Sequence, residues 1–473
     1  MSETWLAIEL THLALDLARR AQEPHRDLPI ALSDGKAQGP RILDSNPAAQ
    51  RLGVEPGLAL SAALSLAGNL LVYNREPAAE QRALERLAAW CYQYSSAVSI
   101  ATDQHTLLLE TGGSERLLGD SQRLAQQLEQ ELLTLGYHSR VGQGPNPEAA
   151  RLSARLGQPA PALNAISAWL RPLPLSALDL DPGQSQALEQ MGFRHLGEIM
   201  RLPRKALARR LGTALLHRLD RLTGLRPDPQ KLWQQPLSFE STMDLAAEAS
   251  HCQALLFPIN RLLRELCGVL RGCDRGIQSA HITLQQGGGE EVFTLRLQQP
   301  SRDESHLVTL LQERLERLRL RQPVRRITLR ADDFIAFDAA PEGLFPDPEN
   351  PASNPLDPLL ERLQARLGKR SVYGLRGIAD HRPERSWQRC SPQAAVHSPS
   401  MPHRPLWLFQ QPRRCAIEDY RVLAGPERIE SGWWDGHDCR RDYFVVRDSG
   451  GSTLWAYREY KPEPGWYLQG LFS

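Results

Sequence analysis

WLAIELTHLALDLARR, residues 5–20, decides the architecture. Residues 5–10 are almost wholly apolar and read as a short buried strand, and 13–20 continue as helix. The only charge in the strand, Glu9, stands one residue short of its end, and Thr11 follows two positions later. Further along, 28–33, 69–73, 104–110 and 137–142 read as strands. Residues 77–96 and 115–136 read as helices, the former opening on a proline that a first helical turn tolerates. Alternating strands and helices over the first 160 or so residues indicate an α/β domain.

The chain has 473 residues, enough for several domains, with 41% hydrophobic and 23% charged residues, which excludes a wholly disordered chain. Seven cysteines, with no CxxC pair and no zinc-finger spacing, argue against a disulfide scaffold or zinc module and suit a reducing cytoplasm. The opening MSETWLAIEL has no basic segment before an apolar one, so no secretory signal is expected. The uncharged run 56–74 approaches the length of a membrane span, but its Pro, Gly, Asn and Ser content predicts a buried helix followed by a strand.

Net charge is +1, but unevenly distributed: residues 1–150 hold 18 acids and 12 bases, and the remainder is basic. Only five of the 56 cations are lysines. Residues 171–230 are helical and broken by prolines. Within them LPRKALARRLGTALLHRLDRL reads as two short helices around Leu211–Gly212, a helix-hairpin-helix able to offer backbone N–H groups to phosphates. Its candidate DNA contacts are Arg204, Lys205, Arg209, Arg210 and Arg218. A solvated basic face is the plain alternative. Residues 235–330 follow in the order strand, helix, strand, strand, helix, strand, with a second basic cluster that includes Arg325 and Arg326. Residues 335–358 and 388–406 read as linkers around a small helical unit at 357–380. The last 70 residues hold 13 aromatics and a hairpin turning at 448–451. Such a tail makes a small β-core, a docking surface, or both.

An α/β domain, a helix-hairpin-helix and a βαββαβ-like domain in that order resemble the palm and fingers, thumb and little finger of Y-family translesion DNA polymerases. LAIELTHLALDLA resembles their first acidic motif, SNPAAQRLGVEPGLALSAAL their fingers stretch, TLLLETGGSERLLG the strand and turn after the second acidic motif, and VGQGPNPEAARLSARLG the next palm motif. The resemblance predicts a multi-domain α/β and α+β chain: palm and fingers over 1–170, thumb over 171–232, little finger over 233–332, a linker with a small helical unit over 333–403, and a C-terminal extension over 404–473.

The departures from the family bear on activity. Phosphoryl transfer needs metal ions held by carboxylates. The family's carboxylates fall on Glu9, Thr11, His105 and Thr106, of which only Glu9 is an acid. The positions that hold the nucleotide fall on Ala14, Pro47, Gln50 and Pro147. This pattern, with the tail segments GPERIESGWWDGHDCRRDYFVVRD and WYLQGLFS, resembles the ImuB-type proteins, catalytically inactive Y-family relatives. That resemblance implies a non-catalytic DNA-binding adapter in damage-induced mutagenic translesion synthesis, cytoplasmic and without a cofactor. Its implied partners are DNA, an error-prone C-family polymerase, a RecA-like accessory protein of the ImuA type, and the sliding clamp, with no membrane. Leu344 and Phe345 in PEGLFPD are the candidate clamp anchors, though the family's glutamine is missing. RPLWLFQQP, with Leu408 and Phe409, is a second clamp-like segment or an ordinary strand. The competing expectation is an active polymerase that builds a metal site from Glu9, Asp103 and Glu110. A third places a metal at Asp435, His437, Asp438 and Cys439, whose spacing matches no standard zinc site.

Overall fold

The computed structural model describes residues 4–22, 28–101, 105–113, 118–178, 180–337, 356–368, 370–392, 394, 403–461 and 464–472. The chain divides into two compact units, Met1–Arg366 and Leu367–Ser473.

In the first unit, strand Trp5–Leu10 lies inside an antiparallel sheet ordered Val98–Ala101, Thr106–Glu110, Trp5–Leu10, Ser139–Gly144. Leu6, Ile8 and Leu10 face the core shared with helices Pro77–Cys91 and Ser121–Leu135. Trp5 and Ala7 face Ala150 and Ala154 of helix Pro147–Leu156. Both faces are covered, which is why the strand is apolar without alternation. That helix comes very close: a Cβ on Gly142 would lie 1.9 Å from the Ala154 backbone nitrogen. A second, three-stranded sheet joins Ile30–Ser33 to Ile42–Ser45 and Leu71–Asn74. Helix Leu60–Leu66, expected to be buried, buries only Ala63 and exposes Leu64 and Leu66, because it covers a sheet of just three short strands. No helix among the described residues is long and apolar enough to cross a membrane.

Short helices then pack around Leu170, Leu178, Leu196 and Leu222. Helices Arg204–Leu211 and Thr213–Leu222 form the expected hairpin, and Gly212 makes the turn at φ 88°. The following sheet is ordered Gly289–Ser301, Arg275–Gln286, Val324–Ala331, Phe239–Ala249. Helices Gln253–Gly272 and Glu304–Leu315 cover one of its faces. Helix Asp357–Leu367 joins this domain rather than a separate helical unit: Glu361 pairs with His306 and accepts the Gln298 N–H. Leu344 and Phe345 lie outside the described residues.

The second unit opens not as helix but with Gly374–Gly377 paired to Trp387–Cys390. A five-stranded antiparallel sheet follows, ordered Trp407–Arg414, Gly465–Leu471, Thr453–Lys461, Cys439–Arg447, Arg421–Ser431. RPLWLFQQP supplies its first strand, and Leu408 and Phe409 pack against its two small cores. Tyr443, Trp455 and Tyr457 fill one core, whereas Trp433 and Trp434 are largely exposed.

Candidate functional site

The sheet register brings the expected palm positions together. Glu9 stands opposite Thr106, and the Leu10 N–H donates to the His105 carbonyl at 3.1 Å. Thr11, just past the strand end, is exposed. One Glu9 carboxylate oxygen is buried without a hydrogen-bond partner. Among the described residues no three His, Cys, Asp or Glu side chains group to hold a metal.

An ion-pair cluster stands beside this row. His105 Nε2 lies 2.9 Å from Glu80 Oε2, and Arg75 binds both Glu80 oxygens at 2.7 and 2.9 Å. The Arg75 hydrogen bonds and the neighbouring His105 hold Glu80 below the usual carboxylate range against the opposing effect of burial. His105 adopts a left-handed backbone, φ 47°. The Glu80 carboxylate is therefore already engaged by Arg75 and His105. Sequence reading missed Glu80. Its signal was an acid three residues into helix Pro77–Cys91, five after Arg75.

Glu110 cannot complete a metal site with Glu9. It pairs with Trp5 at the far end of the same two strands, roughly 13 Å away at about 3.3 Å per residue. Its Oε1 accepts the Gly112 N–H. Asp103 lies outside the described residues. In the second unit, Asp435 is bound by Arg382 and Arg385 rather than grouped with His437 and Cys439 as ligands.

The nucleotide positions have other uses. Ala14 lines a cavity of about 90 Å³ with Leu17, Leu32, Tyr73 and Ala79. Pro47 and Pro147 open helices whose caps are Asn46 and Asn146. Gln50 donates to the Ser45 carbonyl at 2.8 Å.

The predicted DNA contacts divide into three groups. Lys205 and Arg209 are exposed and make no ion pair among the described residues, and Arg210 is exposed beside the Met191 sulfur. Arg204 is bound through both nitrogens to Asp220, Arg325 to Glu248 and Arg326 to Asp244. Arg218 is withdrawn from the set. It faces inward, donating to Glu148 Oε2 at 3.1 Å and to the Leu178 carbonyl, so it joins thumb to palm. The hairpin pattern identified it as basic but not which way it faced. Arg317, Arg319 and Arg321 add exposed cations without ion pairs among the described residues. The uncovered face of the little-finger sheet carries Thr242, Thr283, Thr328 and His281, a hydroxyl-rich plane suited to phosphate oxygens.

Two buried carboxylates fix these surfaces to the palm. Glu148 accepts from Arg218 and Arg151, each at 3.1 Å. Glu265, on helix Gln253–Gly272, is fully buried between Arg20 at 2.7 Å and Arg86 at 3.1 Å. The linker leading to the little finger is stitched to the palm edge, where the Trp233 N–H donates to the Val98 carbonyl at 2.8 Å and Leu232 bridges Ser99.

Fold and site together define a Y-family polymerase architecture, with palm, fingers, thumb and little finger. A family model described as the impB/mucB/samB family matches residues 14–155. Protein ImuB from two strains of Caulobacter vibrioides is 30% identical over 472 residues, spanning 89% of this chain and 100% of that protein. Among solved structures, a Y-family DNA polymerase chimera, Dbh-Dpo4(243-245)-Dbh, is 16% identical with a TM-score of 0.42, covering 71% of this chain and 100% of its own. DinB from Sulfolobus solfataricus is 16% identical with a TM-score of 0.41 and the same coverage. The chain belongs to the ImuB family.

Proposed function

We propose that this protein is a DNA-binding adapter without polymerase activity, acting in damage-induced mutagenic translesion synthesis in the cytoplasm. The observation that carries this reading is the row at the palm strand ends, where Glu9 stands opposite Thr106 and the neighbouring His105 is paired to the Arg75-bound Glu80. Polymerase chemistry needs uncompensated carboxylates that gather two divalent cations at the strand ends. Here Glu9 stands opposite Thr106, a threonine follows at position 11, and the carboxylate bound to His105 is already paired with Arg75. The loss of the family's triphosphate-binding groups at Pro47, Gln50 and Pro147 supports the same reading, because a triphosphate would find no partner at those positions.

DNA is held through Lys205, Arg209 and Arg210, exposed cations that make no ion pair among the described residues. The family resemblance supplies the other partners: the error-prone C-family polymerase, the RecA-like accessory protein and the sliding clamp, with Leu344 and Phe345 as the clamp anchors. Primer extension tests the non-catalytic half. Purified protein with primer-template, dNTPs and Mg²⁺ or Mn²⁺ gives no product. Extension that disappears in Glu9→Ala overturns the proposal.

A further inference from the structure

The loop 432–438 joins strands Arg421–Ser431 and Cys439–Arg447 at one end of the second unit's sheet. It carries two tryptophans that the fold leaves outside: Trp433 is 79% and Trp434 61% exposed, their rings edge to face at 5.6 Å. Large aromatic surface left in water is costly, so a loop that displays it needs an explanation.

The loop is also built to hold its shape. Arg382, with its side chain only 4% exposed, donates to Asp435 at 2.7 and 3.0 Å, to Asp380 at 2.8 and 3.0 Å, and to the His437 carbonyl at 3.3 Å. Arg385 adds a bond to Asp435 at 2.9 Å, and the His437 N–H donates to Asp435 at 3.1 Å. Gly432, at φ 91°, admits this brace: a Cβ there would lie 2.2 Å from the His437 oxygen and 2.5 Å from Arg382 Nη1. The Arg382 guanidinium stands 5.8 Å from the Trp434 ring. The tryptophans are thus presented on a preorganised support, which lowers the ordering cost of binding.

Charge selects the occupant. A single strand of DNA could stack on tryptophans but also needs cations for its backbone. Most cations around this loop are already in ion pairs, Arg382 and Arg385 with Asp435, Arg440 with Glu430, Arg441 with Glu459 and Glu384, and Lys461 with Asp438, while Arg458 stacks on the Tyr460 ring that Arg440 also covers. What remains for a partner is two indoles within a self-neutralised rim. That matches a folded protein offering an uncharged apolar cavity, the setting in which tryptophan dominates interface energetics.

We infer that Trp433 and Trp434 form a rigid anchor that inserts into an apolar pocket of a protein partner. The inference rests on the adapter reading for the choice of partners to test. Trp407 provides an internal control. It is 68% exposed but lies at the opposite end of the sheet, in the row Trp407, Leu471, Leu454, Val446, Val422.

The experiment uses full-length protein as wild type, Trp433→Ala/Trp434→Ala and Trp407→Ala. Affinity is measured for the purified RecA-like accessory protein, the purified C-family polymerase and an oligothymidine. Both tryptophans being outside the core, the double variant keeps its melting midpoint and circular dichroism. It loses at least tenfold affinity for one of the two proteins, keeps its affinity for the oligonucleotide, and leaves sedimentation unchanged, while Trp407→Ala binds like wild type. Equal binding by wild type and double variant overturns the anchor and leaves the adapter reading intact. Wild type that binds neither protein overturns both. Loss of oligonucleotide affinity makes the loop a base-stacking platform instead, and loss of a dimer makes it a self-association surface. An equal defect in Trp407→Ala reduces it to general surface stickiness and overturns it as well.

Discussion

At the residue scale, Glu265 shows how a buried charge is kept. Burial alone would raise its pKa, but Arg20 and Arg86 outweigh that and hold it below the ordinary carboxylate value. Removing one partner of a buried pair costs about 3–5 kcal/mol, so Glu265→Gln should lose stability of that order in urea unfolding at neutral pH. The sign with pH follows. A depressed pKa contributes stability that is present above the unfolded value, about 4.3, and is lost as pH falls through the folded value. Wild type should therefore lose part of its advantage over Glu265→Gln on acidification below about pH 4, and a constant gap between the two would refute the assignment. The sequence contained a clue to this residue. Leu262, Leu266 and Val269 mark the apolar stripe of the helix, and Glu265 lies three positions from Leu262 on that stripe, where an acid requires a partner. Its partners, 245 and 179 positions away, were not legible from any local pattern. Glu80 is the complementary case: the loss of acids at Thr11, His105 and Thr106 was readable from the motifs, whereas the neutralising cluster depends on a tertiary contact.

At the element scale, the helix hairpin separates surface charge from structural charge. Arg204 holds Asp220, which its hydrogen bonds keep below the usual carboxylate range. Lys205, Arg209 and Arg210 carry no such duty. Reversing those three to Glu should weaken primer-template binding to all sequences alike and flatten the dependence of affinity on salt, since fewer counterions are released. Arg204→Glu alone should lower the melting temperature as well, because it leaves Asp220 facing a like charge. A triple variant that binds as tightly as wild type at moderate salt would remove the hairpin from the DNA site. Local pattern was sufficient for this hairpin and for the long helices, whose periodicity and terminal prolines are visible in the sequence. It failed for strands Ile42–Ser45 and Val98–Ala101. Each spans four residues, too few for alternation to register, and each is defined by pairing with a strand that the sequence alone does not align. It also failed for 370–380, the end of the expected helical unit at 357–380, where Gly374–Gly377 pairs as a strand with Trp387–Cys390.

At the scale of the whole molecule, the two units divide the proposed work. Residues 171–232 hold 11 bases against 6 acids, and the exposed hairpin cations fall among them. The tryptophan anchor falls in Leu367–Ser473. Deleting 367–473 should therefore leave primer-template affinity within about twofold and its salt slope unchanged, while abolishing capture of at least one protein partner. The outcome is not assured by composition, because the deleted segment is itself net basic, with 16 bases against 12 acids. If net charge governed binding, its loss would cost affinity in proportion to the cations removed. If the placement of unpaired cations governs it, the loss costs little, because many of the tail's arginines are bound to acids: Arg382, Arg385, Arg404, Arg428, Arg440 and Arg441 all carry carboxylate partners. Fluorescence anisotropy across a salt series separates the two cases. A truncated chain that loses DNA yet still captures both proteins would show that the two surfaces are assigned the wrong way round.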